Sequence, residues 1–359
     1  MKLLRQWFPS FFKNTVFTGV IDDVRTESEI ARDYLHEERY APPVPDPFSN
    51  KKIETSPYPY ENQYKTSSCV PHAVALALGI ERSIDGDVFS RLSPLFLYRL
   101  RANFPDEGCW LQNIFDVARN TGAPLFPTLP TKLWATEEQA NAVSITADAY
   151  NEALLYRGDE YYTFKDPTDI VSLAAVAQKG HGVPILIYSR LGEWARKYPI
   201  IESFLEFIGA PIRHCVCILP KSGFWENAVR YVAAQDSSWF GGITLRYLSE
   251  EFIKKRCYGA GYWDTVKFVG EGIRPQYIFS TVKKFGDSDY EVLKIQELLI
   301  AEGLLPIDCK TGYFGGRTTA GVRAFQNKYA SEILTPIGLT EPTNVWGNQC
   351  LLKANKLCL

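Results

Sequence analysis

The spacing of hydrophobic positions changes along the chain, and the change predicts helices first and strands second. A run that is apolar on both sides follows Ser67 and ends at Gly79, with Pro71 suited to a first turn, so it predicts a buried helix. A period of 3.6 residues predicts further helices over about 93–102 and 111–121. Short β-type runs bounded by Gly, Pro, Ser or Asp predict strands at 183–188, 215–219, 229–234, 243–247 and 263–269. This segregation indicates an α+β fold.

The two ends of the chain differ from this middle part. Residues 1–41 are charged and predicted to be helical, and the prolines of 42–60 force an extended path. We therefore interpret residues 1–60 as a prosegment-like N-terminal lead-in outside the core. Residues 285–359 predict a separate module with helices at 292–300 and 318–329, a turn at 312–316 and a third helix within 344–356. The central domain is then 61–275.

Composition and charge narrow the class of function. The chain has 359 residues, of which 46% are hydrophobic, and its 39 Lys and Arg against 41 Asp and Glu give a net charge of -2. Such a balance gives no basic field to hold a phosphate backbone, so no nucleic acid partner is expected. No stretch is long and apolar enough for a transmembrane helix. The aromatic N-terminal segment lacks the features of a standard signal peptide, and either docks on its own domain or lies on a membrane surface.

The cysteines and histidines give little sign of a metal site. No CxxC pair occurs, and His214, Cys215 and Cys217 lie too close along an extended segment to form a tetrahedral zinc site alone. A chain of this length also folds without a disulfide framework, so the eight cysteines leave the redox compartment open. We predict neither a metal nor a cofactor.

Cys69 is the candidate nucleophile, because it stands at the start of the buried helix, where the N-terminus stabilises an anion such as a thiolate. A buried cysteine that only packs would look the same. A nucleophilic thiol needs a histidine to take its proton, and His214, at the start of an apolar strand, is the best candidate. His36 lies in the lead-in, His72 is one helical turn from Cys69, and His181 is expected to be solvated in a Gly-flanked loop.

These residues resemble the papain-type (C1) cysteine peptidases. Gln63 precedes Cys69 by six residues, and His214 follows it by 145, inside the roughly 130 to 150 typical of papain-type enzymes. Asp236, in Gln-Asp-Ser-Ser-Trp at 235–239, occupies the place of the asparagine in the family's Asn-Ser-Trp motif. Segments 93–99, 106–108 and 182–185 read like the bacterial and phage branch of the family. The resemblance covers about residues 40–270.

The resemblance implies a papain-like fold of two subdomains, a helical half and a β-barrel-like half, and a peptidase that acts on peptide or protein. It also implies these roles: Cys69 as nucleophile, His214 as base and acid, Asp236 as the group orienting His214, Gln63 in the oxyanion hole, and Gly108, Cys109 and Trp110 as substrate-lining residues. Aspartate in place of asparagine should favour the imidazolium and raise the pKa of His214. The gap from His214 to Asp236 implies a long hairpin with its turn at 220–227.

The C-terminal module is similar to the peptidoglycan-binding domain of bacterial and phage wall hydrolases. The similarity spans nearly all of 287–357 and is carried by 293–299, 312–315 and 318–326. It implies bacterial peptidoglycan as a partner, three helices, and a location in the cell envelope, outside the cell or in a phage-delivered lysin. In an oxidising compartment Cys309 is expected to bridge to Cys350 or Cys358.

Three functions therefore stay open. The first is a wall-targeted cysteine peptidase, lysin-like or acting on surface proteins. The second is a catalytically inactive wall-binding or virion structural protein. The third is an amidase or transpeptidase that uses the same Cys-His pair, since acyl transfer does not fix the acceptor.

Overall fold

The computed structural model describes residues 19–23, 25, 46–84, 89–131, 136–201, 211–238, 242–266, 274–275, 277–306 and 309–358. The chain divides into two compact units. The first comprises Met1–Tyr150 and Gly158–Val266, and the second comprises Asn151–Arg157 and Lys267–Leu359. The helix predicted within 1–41 lies mostly outside the described residues. No helix in the described part is long and apolar enough to cross a membrane.

Helices come first in the larger unit, as predicted. They are α1 (Cys69–Ile84), α2 (Pro94–Arg99), α3 (Leu111–Asn120), α4 (Glu137–Asn141) and α5 (Ala147–Ala153). Helix α1 is buried on almost every side, which explains its continuous apolar run. The Ser93 side chain accepts a hydrogen bond from the backbone N–H of Phe96 and so fixes the start of α2.

One six-stranded antiparallel sheet forms the second half of this unit. The strands are β1 (Tyr161–Thr163), β2 (Val183–Arg190), β3 (Pro211–Glu226), β4 (Val229–Gln235), β5 (Leu245–Ser249) and β6 (Cys257–Trp263). Three helices lie between them in the chain: α6 (Ile170–Gln178), α7 (Leu191–Trp194) and α8 (Glu250–Arg256). The strand order is β1-β6-β2-β3-β4-β5. Over the described residues the sheet stays open, so the barrel-like half predicted from sequence is an open sheet. The fold class, α+β, is confirmed.

The hairpin between β3 and β4 differs from the prediction. The expected turn at 220–227 is mostly strand, because β3 continues to Glu226 after an irregular stretch around Lys221, whose φ is 52°. The chain reverses instead at Asn227 and Ala228, which both have positive φ, as a two-residue hairpin turn requires. The last predicted strand is also displaced, since β6 ends at Trp263.

Apolar packing on β3 holds the sheet against the helices. Val216 and Ile218 belong to a buried cluster that includes α6 and α8. Cys217, on the other face of the strand, lies close to Gly182, which also packs against Ala77 of α1. One face of β3 therefore packs on the cluster with α6 and α8, and the other face packs towards α1. His214 lies near the beginning of this strand.

Part of the proline-rich lead-in belongs to the core, contrary to the prediction. Phe48 is buried in the same cluster as α6, and the backbone N–H of Ser49 donates to the carbonyl of Gly223. The Tyr247 hydroxyl donates to the carbonyl of Ile53 at 2.8 Å. Prolines prevent residues 46–60 from forming a helix or an inner strand, but not from packing along the sheet.

The smaller unit has its own core. It contains β7 (Lys283–Lys284), α9 (Tyr290–Ala301), α10 (Gly316–Lys328), α11 (Ala330–Ile333), a 3₁₀ turn (Thr335–Ile337), β8 (Val345–Trp346) and α12 (Asn348–Cys358). The core starts before residue 285, because Phe279 is buried against Trp346 and its backbone N–H donates to Asn355. All eight cysteines are free thiols, so the expected bridge from Cys309 is not formed.

Candidate active site

Cys69 is the first residue of α1 and is fully buried. The preceding loop is fixed from within, because the Thr66 hydroxyl donates to the carbonyl of Gln63 at 2.6 Å and lies 2.6 Å from the Ser68 hydroxyl. The loop therefore delivers the Cys69 sulfur to one place at the helix N-terminus, where helix dipoles favour a thiolate.

His214 and Asp236 lie beside this thiol. The Nε2 atom of His214 is 2.7 Å from Oδ1 of Asp236, and both side chains are completely buried. With Nε2 engaged by the carboxylate, Nδ1 is the ring nitrogen left to exchange a proton with Cys69. Burial lowers the pKa of His214, but the charge of Asp236 and hydrogen bonds to Asp236 and Cys69 outweigh it and raise the pKa to about 9. The direction expected from an aspartate at 236 is confirmed.

A second cation balances Asp236. This cation is Arg246, which is fully buried. The Oδ2 atom of Asp236 accepts hydrogen bonds from Arg246 Nε at 2.7 Å and from Trp194 Nε1 at 3.0 Å. Its Oδ1 also accepts from the backbone N–H and the hydroxyl of Ser238, both at 2.8 Å. Burial raises the pKa of Asp236, but His214 and Arg246 lower it to about 2. The aspartate is thus an anion fixed between two cationic groups and oriented by five hydrogen bonds.

Gln63 stands in the loop before the nucleophile and is buried. Its Nε2 donates to the Thr66 carbonyl at 2.9 Å, and its Oε1 accepts from the Ser237 hydroxyl at 2.7 Å. The second bond links the loop to the segment after Asp236. An amide nitrogen carries two N–H groups, so a side chain held in this way can present a donor to an oxyanion.

The other histidines are not equivalent to His214. His72 is buried with Nδ1 2.8 Å from the Ser68 carbonyl, and its burial lowers its pKa to about 4. The prediction of a solvated His181 is wrong, because its Nδ1 lies 2.7 Å from buried Glu81 and its ring packs on Tyr262. The neighbouring glycines suggested an exposed loop, but they permit a close approach to α1 instead. His36 lies outside the described residues.

Gly108, Cys109 and Trp110 are the residues predicted to line the substrate site, and residues 19–21 pair with Cys109. Cys109 donates its backbone N–H to the Gly19 carbonyl and accepts from the N–H of Ile21, which pairs Val20 with Cys109 in parallel. A Cβ atom on Gly19 would lie 2.3 Å from the Cys69 sulfur. The backbone of Gly19 therefore contacts the candidate nucleophile.

The Glu137 carboxylate links the loop before Cys69 to the segment around Gly108. Glu137, at the start of α4, accepts from the backbone N–H of Ser67 at 3.0 Å and from the Tyr98 hydroxyl. The same hydroxyl accepts from the N–H of Gly108 at 3.2 Å. The loop before Cys69 and the segment that contacts residues 19–23 are thus joined through one network.

Cys69, His214, Asp236 and Gln63 were predicted from the sequence to share one site, and the structure places them close together. Other residues of the site were not predicted. Arg246 and Trp194 were missed, although a lone arginine inside the apolar strand at 245–249 was a usable signal. Gly19 was missed because nothing local in its sequence marks it. Trp239 lies outside the described residues. No metal-binding cluster of His, Cys, Asp or Glu occurs among the described residues.

The architecture is similar to those of solved cysteine proteases. Xylellain, a cysteine protease from Xylella fastidiosa, matches with a TM-score of 0.55 and 18% identity over 69% of this chain and 96% of its own. Digestive procathepsin L 3 of Tenebrio molitor has a TM-score of 0.45 at 12% identity, covering 72% of this chain and 78% of its own. Bromelain from Ananas comosus has a TM-score of 0.45 at 14% sequence identity, and the match covers 57% of this chain and 93% of its own. No protein-family model and no curated protein matches the chain.

Proposed function

We propose that this protein is a papain-like cysteine peptidase that hydrolyses peptide bonds and is targeted to the bacterial cell wall by its C-terminal module. The premise is the papain-like fold of its larger unit. The observation that carries the proposal is the buried line from Cys69 through His214 to Asp236. A fixed anion behind an imidazole that contacts a thiol is the arrangement that activates sulfur for attack on a carbonyl.

In the proposed mechanism the Cys69 thiolate attacks the peptide carbonyl and His214 protonates the departing amine. The oxyanion accepts hydrogen bonds from Gln63 and from the Cys69 backbone N–H. Water, deprotonated by His214, then releases the acyl group from sulfur. Asp236 holds the ring through Nε2 and keeps the imidazolium form available. The mechanism requires no cofactor.

The reaction is tested by mass spectrometry of purified peptidoglycan and of surface proteins after incubation with the full chain. New peptide termini support a peptidase. Release of an intact stem peptide from the glycan would identify an amidase, and a new cross-link would identify a transpeptidase. Absence of any product, both with the full chain and with its Gly19→Val variant, contradicts the peptidase, amidase and transpeptidase alike and favours a catalytically inactive protein.

We further propose that residues 19–23 are an inhibitory segment, because Gly19 lies on the Cys69 sulfur. A valine there would place its Cβ within 2.3 Å of the sulfur and 3.0 Å of the Ser67 carbonyl oxygen. Gly19→Val should therefore displace the segment, and peptidase activity of the full chain should rise about tenfold, the scale of a 1 to 3 kcal/mol packing conflict. Initial rates on a soluble fluorogenic peptide measure the change.

The matched control is Gly347→Val, since a Cβ at Gly347 meets nothing within 4 Å. Its rate should equal that of the unaltered chain. Equal rates for Gly19→Val and the unaltered chain would show that the segment leaves the cleft freely and inhibits nothing.

The targeting role rests on the sequence similarity of 287–357 and on a separate core. Because Phe279 and Arg274 belong to that core and its ion pairs, the fragment to test is 274–359 and not 285–359. We expect this fragment to melt cooperatively and to sediment with purified sacculi at micromolar concentration. Removing it should lower cleavage of whole walls more than cleavage of soluble peptides, because attachment raises the local enzyme concentration. A folded fragment that stays in the supernatant would contradict wall targeting.

A further inference from the structure

The segment at 19–23 makes one charged contact with the catalytic unit, at the strand that carries His214. Asp22 Oδ1 accepts a hydrogen bond from Arg213 Nη1 at 2.8 Å. Arg213 immediately precedes His214, and its side chain is 43% exposed, so water and other ligands reach it when the segment leaves. Residues 19–23 therefore lie against a cation whose residue directly precedes the candidate base in β3.

The position of this cation relative to the nucleophile follows from the segment itself. Gly19 lies on the Cys69 sulfur and Asp22 is three residues further along an extended stretch. At about 3.3 Å per residue, the carboxylate binds about 10 Å from the reacting sulfur. A peptide that lies in the same groove brings a side chain of one of its own residues to this place.

The surroundings of Arg213 suit a side chain with a short apolar stem and an anionic end. Tyr188 is the cross-strand partner of Arg213 in β2, and Tyr258 lies on β6, the next strand of the sheet. Both tyrosines are partly exposed, at 37% and 42%. Asp22 is the acidic group that faces Arg213 in the structure, and it departs with the segment.

We propose that Arg213 is a specificity-determining residue that selects peptides with a carboxylate about three residues from the bond to be cleaved. This inference rests on the proposed peptidase function, and it deepens that function by naming an acidic peptide as the preferred substrate. The segment then blocks the cleft partly by presenting the same carboxylate that a substrate presents.

Binding tests the inference without relying on turnover. The protein is the full chain with Gly19→Val, to vacate the cleft, and Cys69→Ser, which removes the reactive thiol but keeps a hydroxyl against the Cβ of residue 19. The probes are the fluorescent peptides Gly-Val-Ile-Asp-Asp, which copies residues 19–23, and Gly-Val-Ile-Asn-Asp. The acidic probe should bind about three- to fivefold more tightly, as expected for one exposed ion pair, and Arg213→Gln should remove the difference.

A reversal of charge separates recognition from a structural role. Arg213→Glu should prefer Gly-Val-Ile-Lys-Asp over the acidic probe, which no loss of packing would produce. Arg230→Gln is the matched control, because Arg230 also makes a surface ion pair, with Glu250, and should leave the preference unchanged.

The outcomes keep this inference distinct from the proposed function. Equal binding of the acidic and neutral probes to the protein with Arg213 overturns the specificity role, even if the enzyme cleaves peptides. An acidic preference that follows residue 213 supports the role even if no cleavage is found. Rates of the Gly19→Val chain on substrates with Glu, Gln or Lys at this place then measure the same preference in kcat/KM.

Discussion

Replacing Cys69 with alanine is expected to lower peptide turnover by about 10⁴-fold or more while the protein stays folded. In the proposed mechanism the sulfur forms the acyl intermediate, and single losses in such a unit abolish nearly all of its chemistry. Alanine is smaller than cysteine and is the best helix former, so the start of α1 should be kept. Turnover of a soluble peptide by the Gly19→Val chain, with and without the second change, gives the measurement.

Cys217→Ala is the control for removal of a buried thiol. Burial raises the pKa of Cys217, which packs beside Gly182 and α1 away from Gly19. This variant should keep its turnover. Cleavage by Cys69→Ala at the unaltered rate would contradict the nucleophile assignment, and unfolding of Cys69→Ala, visible by circular dichroism, would call for Cys69→Ser instead.

Asp236→Asn is expected to damage both stability and activity, although asparagine is the residue that the papain-type family uses at this place. The change leaves Arg246 buried without its anion, and breaking a buried ion pair from one side costs about 3 to 5 kcal/mol. The uncompensated guanidinium also disfavours the imidazolium, so the pKa of His214 should fall. We expect turnover about 10²-fold lower, within the range of general acid–base effects.

A double variant separates the two effects. Asp236→Asn with Arg246→Gln removes both charges and should recover a large part of the free energy of unfolding measured in urea. Additive losses in the double variant would show that Asp236 and Arg246 do not depend on one another.

The pH dependence has a definite sign. The pKa of His214 is raised from 6.5 to about 9, so the imidazolium and its share of stability are present at and below pH 6.5 and lost as pH rises through about 9. The pKa of Asp236 is lowered from 3.8 to about 2, so its contribution is lost as pH falls through about 2. Activity should therefore persist to about pH 9 in the unaltered site, and its alkaline limit should move to lower pH in Asp236→Asn.

The sequence predicted those parts of the site that are local or have a fixed spacing. The start of α1 at Cys69 follows from its apolar run, and the strand of His214 follows from its β-type residues. Arg246 could not be placed beside Asp236 from sequence alone. Their contact depends on the register of β4 and β5, in which Ala234 faces Arg246 and the chain then bends at Asp236.

Long-range contacts also explain the errors in the fold. The turn expected at 220–227 became strand because Gly223 pairs with Val232 and leaves room for Pro47 and Phe48 beside it. The packing partners come from a distant part of the chain, so a local pattern of Pro, Lys, Ser and Gly predicted a turn. His181 was misplaced in the same way, since its partner Glu81 lies 100 residues away.

The contact of Gly19 with Cys69 is made by a segment that belongs to the same chain, and this determines how the block can be relieved. Residues 26–45 connect the segment to the part of the catalytic unit that begins at 46, so the segment is present at the cleft at an effective concentration of the order of millimolar. Between residues 19–23 and the other described residues the contact comprises two β-type hydrogen bonds and one ion pair, and a contact of that size suffices under this condition. Occupancy of the cleft is then unimolecular and does not change on dilution. One cut within 26–45 would make binding of the segment bimolecular. The segment would then dissociate, because so weak a contact does not hold it at ordinary protein concentrations.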